Sequence, residues 1–318
     1  MRYTIALCMA SLAATPGLAE VPRVVTDIPP VHSLVAQVMG DLGTPELLLE
    51  RGADEHSFQL RPSQAAALND AGVVFWVGHE LTPWLERALE GVPETVVQVS
   101  LLDAAGTITR EYAAEDTHAH EGEAHEDEHA DEAVHAEGEH DHEHSGADPH
   151  AWLAPANATV WVGVIAAELS RIDPANADGY AANAATAVAN IAAADAAAKA
   201  TLAPVADRPF VVFHDAFGYF ADSYGITIAG AISEGDAAAP GAARVAAMRD
   251  MVAAGGAVCL FPEVQHDPAL LEQIIEGTAA RTGGALDPVG SSYEPGPQMY
   301  GTLLTDMATT IATCLNAD

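Results

Sequence analysis

The stretch Asp173–Val205 reads DPANADGYAANAATAVANIAAADAAAKATLAPV. Alanine dominates it, Asn, Asp and Lys are scattered through it, and no proline stands between Pro174 and Pro204. Alanine has the highest helix propensity of all residues, so this composition predicts one long helix. Two helices broken near Asn190 are the lesser alternative. Unlike a Gly/Ser linker, a long helix is a stiff connector and limits how far the parts it joins can hinge.

Working outward, the same pattern stands on both sides of this helix. On the N-terminal side, Val24–Thr26, Glu46–Glu50, Val73–Val77 and Val96–Val99 read as strands. Between the strands, Val31–Met39, Pro62–Asp70 and Thr82–Leu89 read as helices. On the C-terminal side the strands are Phe210–Phe213, Ile226–Ile232, Val258–Phe261 and Ala285–Leu286. The helices there are Asp215–Tyr224, Gly241–Ala254, Asp267–Arg281 and Pro297–Leu315. Strand and helix in alternation argue for a parallel sheet with helices on its faces. The expected fold is α/β: two (β/α)4-like lobes, 20–172 and 206–318, joined by a rigid helix over 173–205.

The first residues read as a secretory signal. Arg2 gives a positive start, Ile5–Ala14 is a short apolar run, and Gly17-Leu18-Ala19 fits a cleavage site after Ala19. The apolar run is too short to span a bilayer. Ile5-Ala6-Leu7 before Cys8 lacks the small residue of a lipoprotein signal, so no lipid anchor is expected. An exported, soluble chain is therefore anticipated. Its remaining cysteines, Cys259 and Cys314, suggest one disulfide, since a lone thiol pair is oxidised outside the cytosol. The formal net charge of −34 repels nucleic acid and attracts cations.

Much of that charge lies in one insert, 115–147. It carries His118, His120, His125, His129, His135, His140, His142 and His144 among Glu and Asp, and no Lys or Arg occurs between Arg110 and Arg171. Imidazole and carboxylate bind borderline divalent metals. The run has no apolar periodicity to bury a core, so a mobile, disordered surface loop is expected. It offers many ligands held loosely, whereas a selective site needs few ligands held rigidly.

Rigid candidates stand where ligands bind in open parallel sheets, beyond the carboxyl ends of strands. His56 follows the strand ending near Glu50, His214 follows Phe213 directly, and Asp287 follows Leu286. His150 stands where apolar patterning resumes after the insert. Taken singly, each has a plain explanation as a hydrogen-bonded turn residue. Together they converge only if the two lobes face each other across a cleft. Among the other residues, His32 reads as a capping or surface residue, and His79 and His266 as surface residues. Trp76, Trp84, Trp152 and Trp161 read as packing residues. Glu263 either orients an imidazole or lies on the surface.

The segments around these residues resemble the metal motifs of the cluster A-I solute-binding proteins of bacterial ABC transporters. They are Arg51-Gly52-Ala53-Asp54-Glu55-His56-Ser57-Phe58, Asp148-Pro149-His150-Ala151-Trp152-Leu153, Phe213-His214-Asp215-Ala216-Phe217-Gly218-Tyr219-Phe220 and Leu286-Asp287-Pro288. The zinc branch of that family, the ZnuA-type periplasmic proteins, also has an acidic, histidine-rich loop before the second motif and a cysteine pair placed like Cys259 and Cys314. The resemblance covers essentially the whole mature chain. It implies a metal site in the interlobe cleft, with His56, His150 and His214 as zinc ligands and Asp287, Glu55 or water in fourth place. It also implies a periplasmic protein that delivers Zn2+ to an ABC-type importer permease, with no enzymatic activity. A monomer is expected.

Chemistry agrees with the zinc branch: three neutral imidazoles suit Zn2+, while an oxygen-richer set suits Mn2+. A manganese or iron carrier of the same fold is the nearest rival. A secreted zinc hydrolase with Glu55 as general base is a second, although the sequence has no HExxH helix.

Overall fold

The computed structural model describes residues 21–112, 146–233 and 240–317. The expected signal segment and all the insert histidines, His118 to His144, lie outside the described residues.

The first half runs β1 (Val24–Thr26), α1 (Pro29–Met39), β2 (Glu46–Leu47), α2 (Pro62–Asn69), β3 (Val73–Trp76), α3 (Pro83–Leu89) and β4 (Val97–Ser100). A short antiparallel ribbon follows, β5 (Arg110–Glu111) with β6 (Ala147–Asp148), which brings the two ends of the insert together. Then come α4 (Pro155–Ile172) and α5 (Ala177–Leu202). The second half runs β7 (Phe210–His214), α6 (Gly218–Tyr224), β8 (Ile228–Ser233), α7 (Ala242–Ala253), β9 (Cys259–Leu260), α8 (Ala269–Ile275), β10 (Arg281–Thr282) and α9 (Met299–Asn316).

Each half builds one four-stranded parallel sheet. The orders are β2-β1-β3-β4 and β10-β9-β7-β8. Counted from the first strand of each half, both orders place the first and third strands at the centre. The halves therefore share one topology, and the carboxyl ends of β1 and β7 occupy equivalent positions.

The long helix is present as α5, 26 residues, with a 3-10 turn at each end. It runs unbroken through Asn190. Its buried residues Tyr180, Ala187, Ile191, Ala198 and Leu202 recur at spacings of seven and four, one apolar stripe along the helix. Helices α1, α4 and α9 pack on it. At the end of α1 the chain turns at Gly40 with φ 52°, and a Cβ there would meet Asn183 of α5 at 2.5 Å. Only glycine permits both the left-handed backbone and that approach. Asn183 in turn donates to the Val38 carbonyl at 3.0 Å.

One continuous core joins the inner faces of the two sheets with α1, α4, α5 and α9. The outer faces are closed separately, by Leu68, Leu85 and Leu89 on the first sheet and by Met248, Val252, Leu271 and Ile274 on the second. Hinging the halves apart would expose part of the shared core, at about 25 cal/mol for each Å² of apolar surface uncovered. The expected disulfide, Cys259–Cys314, ties β9 to α9 with a Cα separation of 6.3 Å.

The structure corrects several sequence-based boundaries. The fourth strand of the second half is Arg281–Thr282, and Leu286 makes only a lone bridge to Glu263. Arg281 therefore belongs to a strand, and α8 ends at Ile275. The adjacent Gly283 hides the strand in sequence. It is needed because a Cβ there would fall 2.2 Å from the Phe261 ring. Helix α6 begins at Gly218, since the Ala216 amide closes a tight turn onto the His214 carbonyl. Helix α4 and the β5–β6 ribbon are further elements that the sequence reading did not delimit.

Candidate metal centre

His56 hangs on the loop after β2, His150 follows β6, and His214 is the last residue of β7. Each of the three offers a ring nitrogen, and these nitrogens lie within 4.8 Å of one another. The ring centroids are 5.9 Å apart for His56–His150, 6.3 Å for His56–His214 and 5.3 Å for His150–His214. His150 and His214 are buried and His56 is partly so.

Two of the rings are gripped from behind. The Asp148 carboxylate accepts from His150 at both the backbone N–H (2.9 Å) and Nδ1 (2.8 Å). Glu263 does the same for His214, at 3.1 Å from the backbone N–H and 2.6 Å from Nδ1. A carboxylate at Nδ1 fixes the proton there and leaves Nε2 as the basic, metal-facing nitrogen. Asp148 is itself held by Arg110, whose Nε lies 3.7 Å away. Arg110 also pairs with Asp222 and donates to the Gly218 carbonyl at 3.3 Å, so it ties the base of the insert to the second half.

His56 is placed differently. Its backbone N–H donates to Asp54 Oδ1 at 2.8 Å, and Ser57 Oγ donates to Asp54 Oδ2 at 3.0 Å, an Asx-type turn that shapes the loop. The loop is anchored to the second half: the Gly52 amide donates to the Ser291 carbonyl, and Arg51 reaches the Ser292 carbonyl and the Glu294 carboxylate.

Glu55 is buried beside the cluster, with Oε1 3.8 Å from His56 Nε2. Burial pushes its pKa up to about 7, against the backbone hydrogen bond and the pull of His214 and His150. A cation entering the cluster would favour the ionised carboxylate. Neither Glu55 nor Asp287 joins the group whose ligand atoms all lie within 4.8 Å of one another. Asp287 Oδ1 accepts from the Ser291 amide at 3.0 Å, and its Oδ2 from the Ser292 amide at 2.8 Å and hydroxyl at 2.6 Å. Those bonds make it the cap of a turn.

Of the residues set aside in sequence, Trp76, Trp152 and Trp161 are core residues. Trp84 is half-buried and donates from Nε1 to the Glu55 carbonyl at 2.7 Å, which steadies the loop before His56. His32 is no surface residue: it is buried, with Nε2 3.2 Å from the Pro45 carbonyl. His266 is half-buried, stacked on Phe213 with centroids 4.1 Å apart. His79 is exposed, as expected. Glu263 is the residue that the sequence left undecided, and the structure assigns it to His214. Asp148 was not singled out, although it stands two residues before His150, the spacing at which an Asx turn forms.

Two parallel α/β halves around one long helix, with imidazoles gathered where the halves face each other, define a solute-binding protein for a metal ion. The chain belongs to the family described as ZnuA, zinc-uptake complex component A, periplasmic, whose model matches residues 24–314. It is 55% identical over 311 residues to the high-affinity zinc uptake system protein ZnuA of Paracoccus denitrificans, covering 96% of this chain and 95% of that one. The protein of the same description from Brucella suis is 36% identical, covering 99% and 96%. A crystal structure of ZnuA superposes with a TM-score of 0.72 at 25% identity, covering 92% of this chain and 99% of that one.

Proposed function

We propose that the protein captures one Zn2+ tightly in the cleft and delivers it to the membrane permease of an ABC-type importer. His56, His150 and His214 hold the ion through Nε2. Glu55 or water completes the shell ahead of Asp287, whose oxygens already cap a turn. The single observation that carries this reading is the approach of three imidazole nitrogens, from both halves of the chain, to within 4.8 Å. Neutral imidazoles on a rigid frame are the donor set that zinc takes in preference to manganese. The protein acts in the periplasm after loss of its leader at Ala19, as a monomeric transport component with no catalytic role.

Capture replaces protons. The rings bind as neutral bases, so affinity falls as pH drops through the histidine range. Asp148 and Glu263 keep two rings oriented, so little ordering remains to be done when the ion arrives. The shared core and α5 make the frame stiff, which favours movement of the His56 loop over wide opening of the halves. The insert histidines serve as weak, exchangeable sites that raise the local zinc concentration near the cleft.

The test is deletion of residues 115–144 from the full chain, followed by titration against a chelating dye. One tight zinc per chain is expected to survive while the weak equivalents disappear. Loss of the tight site with the insert would refute this division of roles.

A further inference from the structure

A second set of ligand-bearing side chains lies behind the cluster. His214, Glu263 and His266 each offer a ligand atom, and these atoms lie within 4.8 Å of one another. Glu263 Oε2 is 2.6 Å from His214 Nδ1, so this set meets His214 on the side away from a cation at Nε2. His266 stands three residues beyond Glu263, with its amide bonded to the Glu263 carbonyl at 3.2 Å. Its ring is held in place by stacking on Phe213 and lies 6.2 Å, centroid to centroid, from His214. It is half-buried, whereas Glu263 and His214 are buried, so the set opens outward at His266. An imidazole and a carboxylate at fixed spacing are suited to a borderline divalent cation.

We propose that Glu263 and His266 form an outer divalent-cation position backed by His214, and that its occupation weakens the grip of the inner cluster on its zinc. The coupling follows from the shared carboxylate. Glu263 stiffens His214 and raises its basicity by accepting from Nδ1–H. A cation on Glu263 draws on the same oxygen electrons, so His214 becomes a poorer donor to the inner ion. By linkage the effect is mutual: inner zinc weakens outer binding by the same factor. The outer position is consequently populated only at high zinc, and there it speeds release. This inference rests on the assignment of the inner site, and its test separates the two.

The full-length chain is loaded with one equivalent of isotopically labelled zinc and chased either with a chelator or with excess unlabelled zinc. Release is expected to be about five-fold or more faster in the zinc chase than in the chelator chase, the low end of ordinary coupling in affinity, which falls mostly on the off-rate. His266→Phe keeps a ring on Phe213 and removes the nitrogens. In that variant the two chases should give equal rates, with the single tight equivalent still bound. If His266→Phe shows the same zinc-driven acceleration as the unaltered chain, or if neither shows any, the outer position is refuted. Crystals of the full chain with excess zinc supply the second readout: an anomalous peak bonded to both His266 and Glu263. A peak in the inner cluster with none at this position overturns the inference while leaving the inner site intact. No peak in the inner cluster counts against the inner site instead.

Discussion

Both halves staple their two central strands with a carboxylate, but from opposite members of the pair, and they use it differently. In the first half, Asp27 follows β1 and accepts from the Ile28 amide and from the Val77 amide at the end of β3, both at 2.7 Å. It clamps the two central strands. In the second half, the equivalent place at the end of β7 is taken by His214, and the clamp comes from Glu263, beyond β9. The central strands are stapled in both halves. Only in the second does the staple grip an imidazole as well as an amide, so a structural device becomes part of a metal centre. The first half contributes its histidines from a loop and from the end of a ribbon instead, and there His150 needs a carboxylate of its own, Asp148.

The comparison breaks if the two carboxyl-terminal strand positions prove interchangeable. His214→Ala is expected to lower zinc affinity by orders of magnitude in chelator competition, with the fold retained. Asp27→Ala is expected to leave zinc affinity unchanged and to cost about 1–3 kcal/mol for each backbone donor left without an acceptor, read from denaturant unfolding. An altered zinc affinity in Asp27→Ala would end the distinction. Next in size is the disulfide, which belongs to the second half alone. Its sequence separation of 55 residues corresponds to about 4 kcal/mol in the chain-entropy account. Cys314→Ser should lose up to that much stability and bind zinc with unchanged affinity.

Glu263→Gln sharpens the comparison. It removes the charge behind His214, and a loss of about 10–100-fold in zinc affinity is expected, typical of a partner one shell out from a metal. A loss confined to stability would reduce Glu263 to the role of Asp27. The smallest effect concerns pH. Burial raises the Asp27 pKa from 3.8 to about 7, although its backbone hydrogen bonds oppose this. The folded state therefore binds this proton more tightly than the unfolded state does. The resulting stabilisation is complete below the unfolded value and is lost as pH rises through about 7. Asp27→Asn cannot ionise, so its unfolding midpoint should fall less than that of the unaltered chain on going from about pH 5 to about pH 8. Parallel pH profiles would contradict the shift.

Much of this was legible in the sequence because strand–helix alternation and alanine content are local signals. Phe210–Phe213, Val73–Val77 and the helix through Asn190 needed no tertiary information. Arg281–Thr282 was not legible: two residues carry no period, and the strand exists only because Cys259–Leu260 lies beside it. His56 and His214 were found because they follow strands, and His150 because apolar patterning resumes there after the insert. Their carboxylate partners are a different matter. Glu263 is 49 residues from His214, and no pattern in one sequence states that pairing. Asp287 was found by the same kind of signature, and its hydrogen bonds from Ser291 and Ser292 are contacts that the signature does not announce. His32 read as a capping or surface residue because the carbonyl it meets, Pro45, lies 13 residues away.

The most direct measurement is a crystal structure of the full chain with one equivalent of zinc. A single ion is expected between the halves, bonded to Nε2 of His56, His150 and His214 at about 2.0–2.1 Å, with Nδ1 of the latter two still on Asp148 and Glu263. An ion bound by residues of one half alone, or by none of these three rings, would contradict the account.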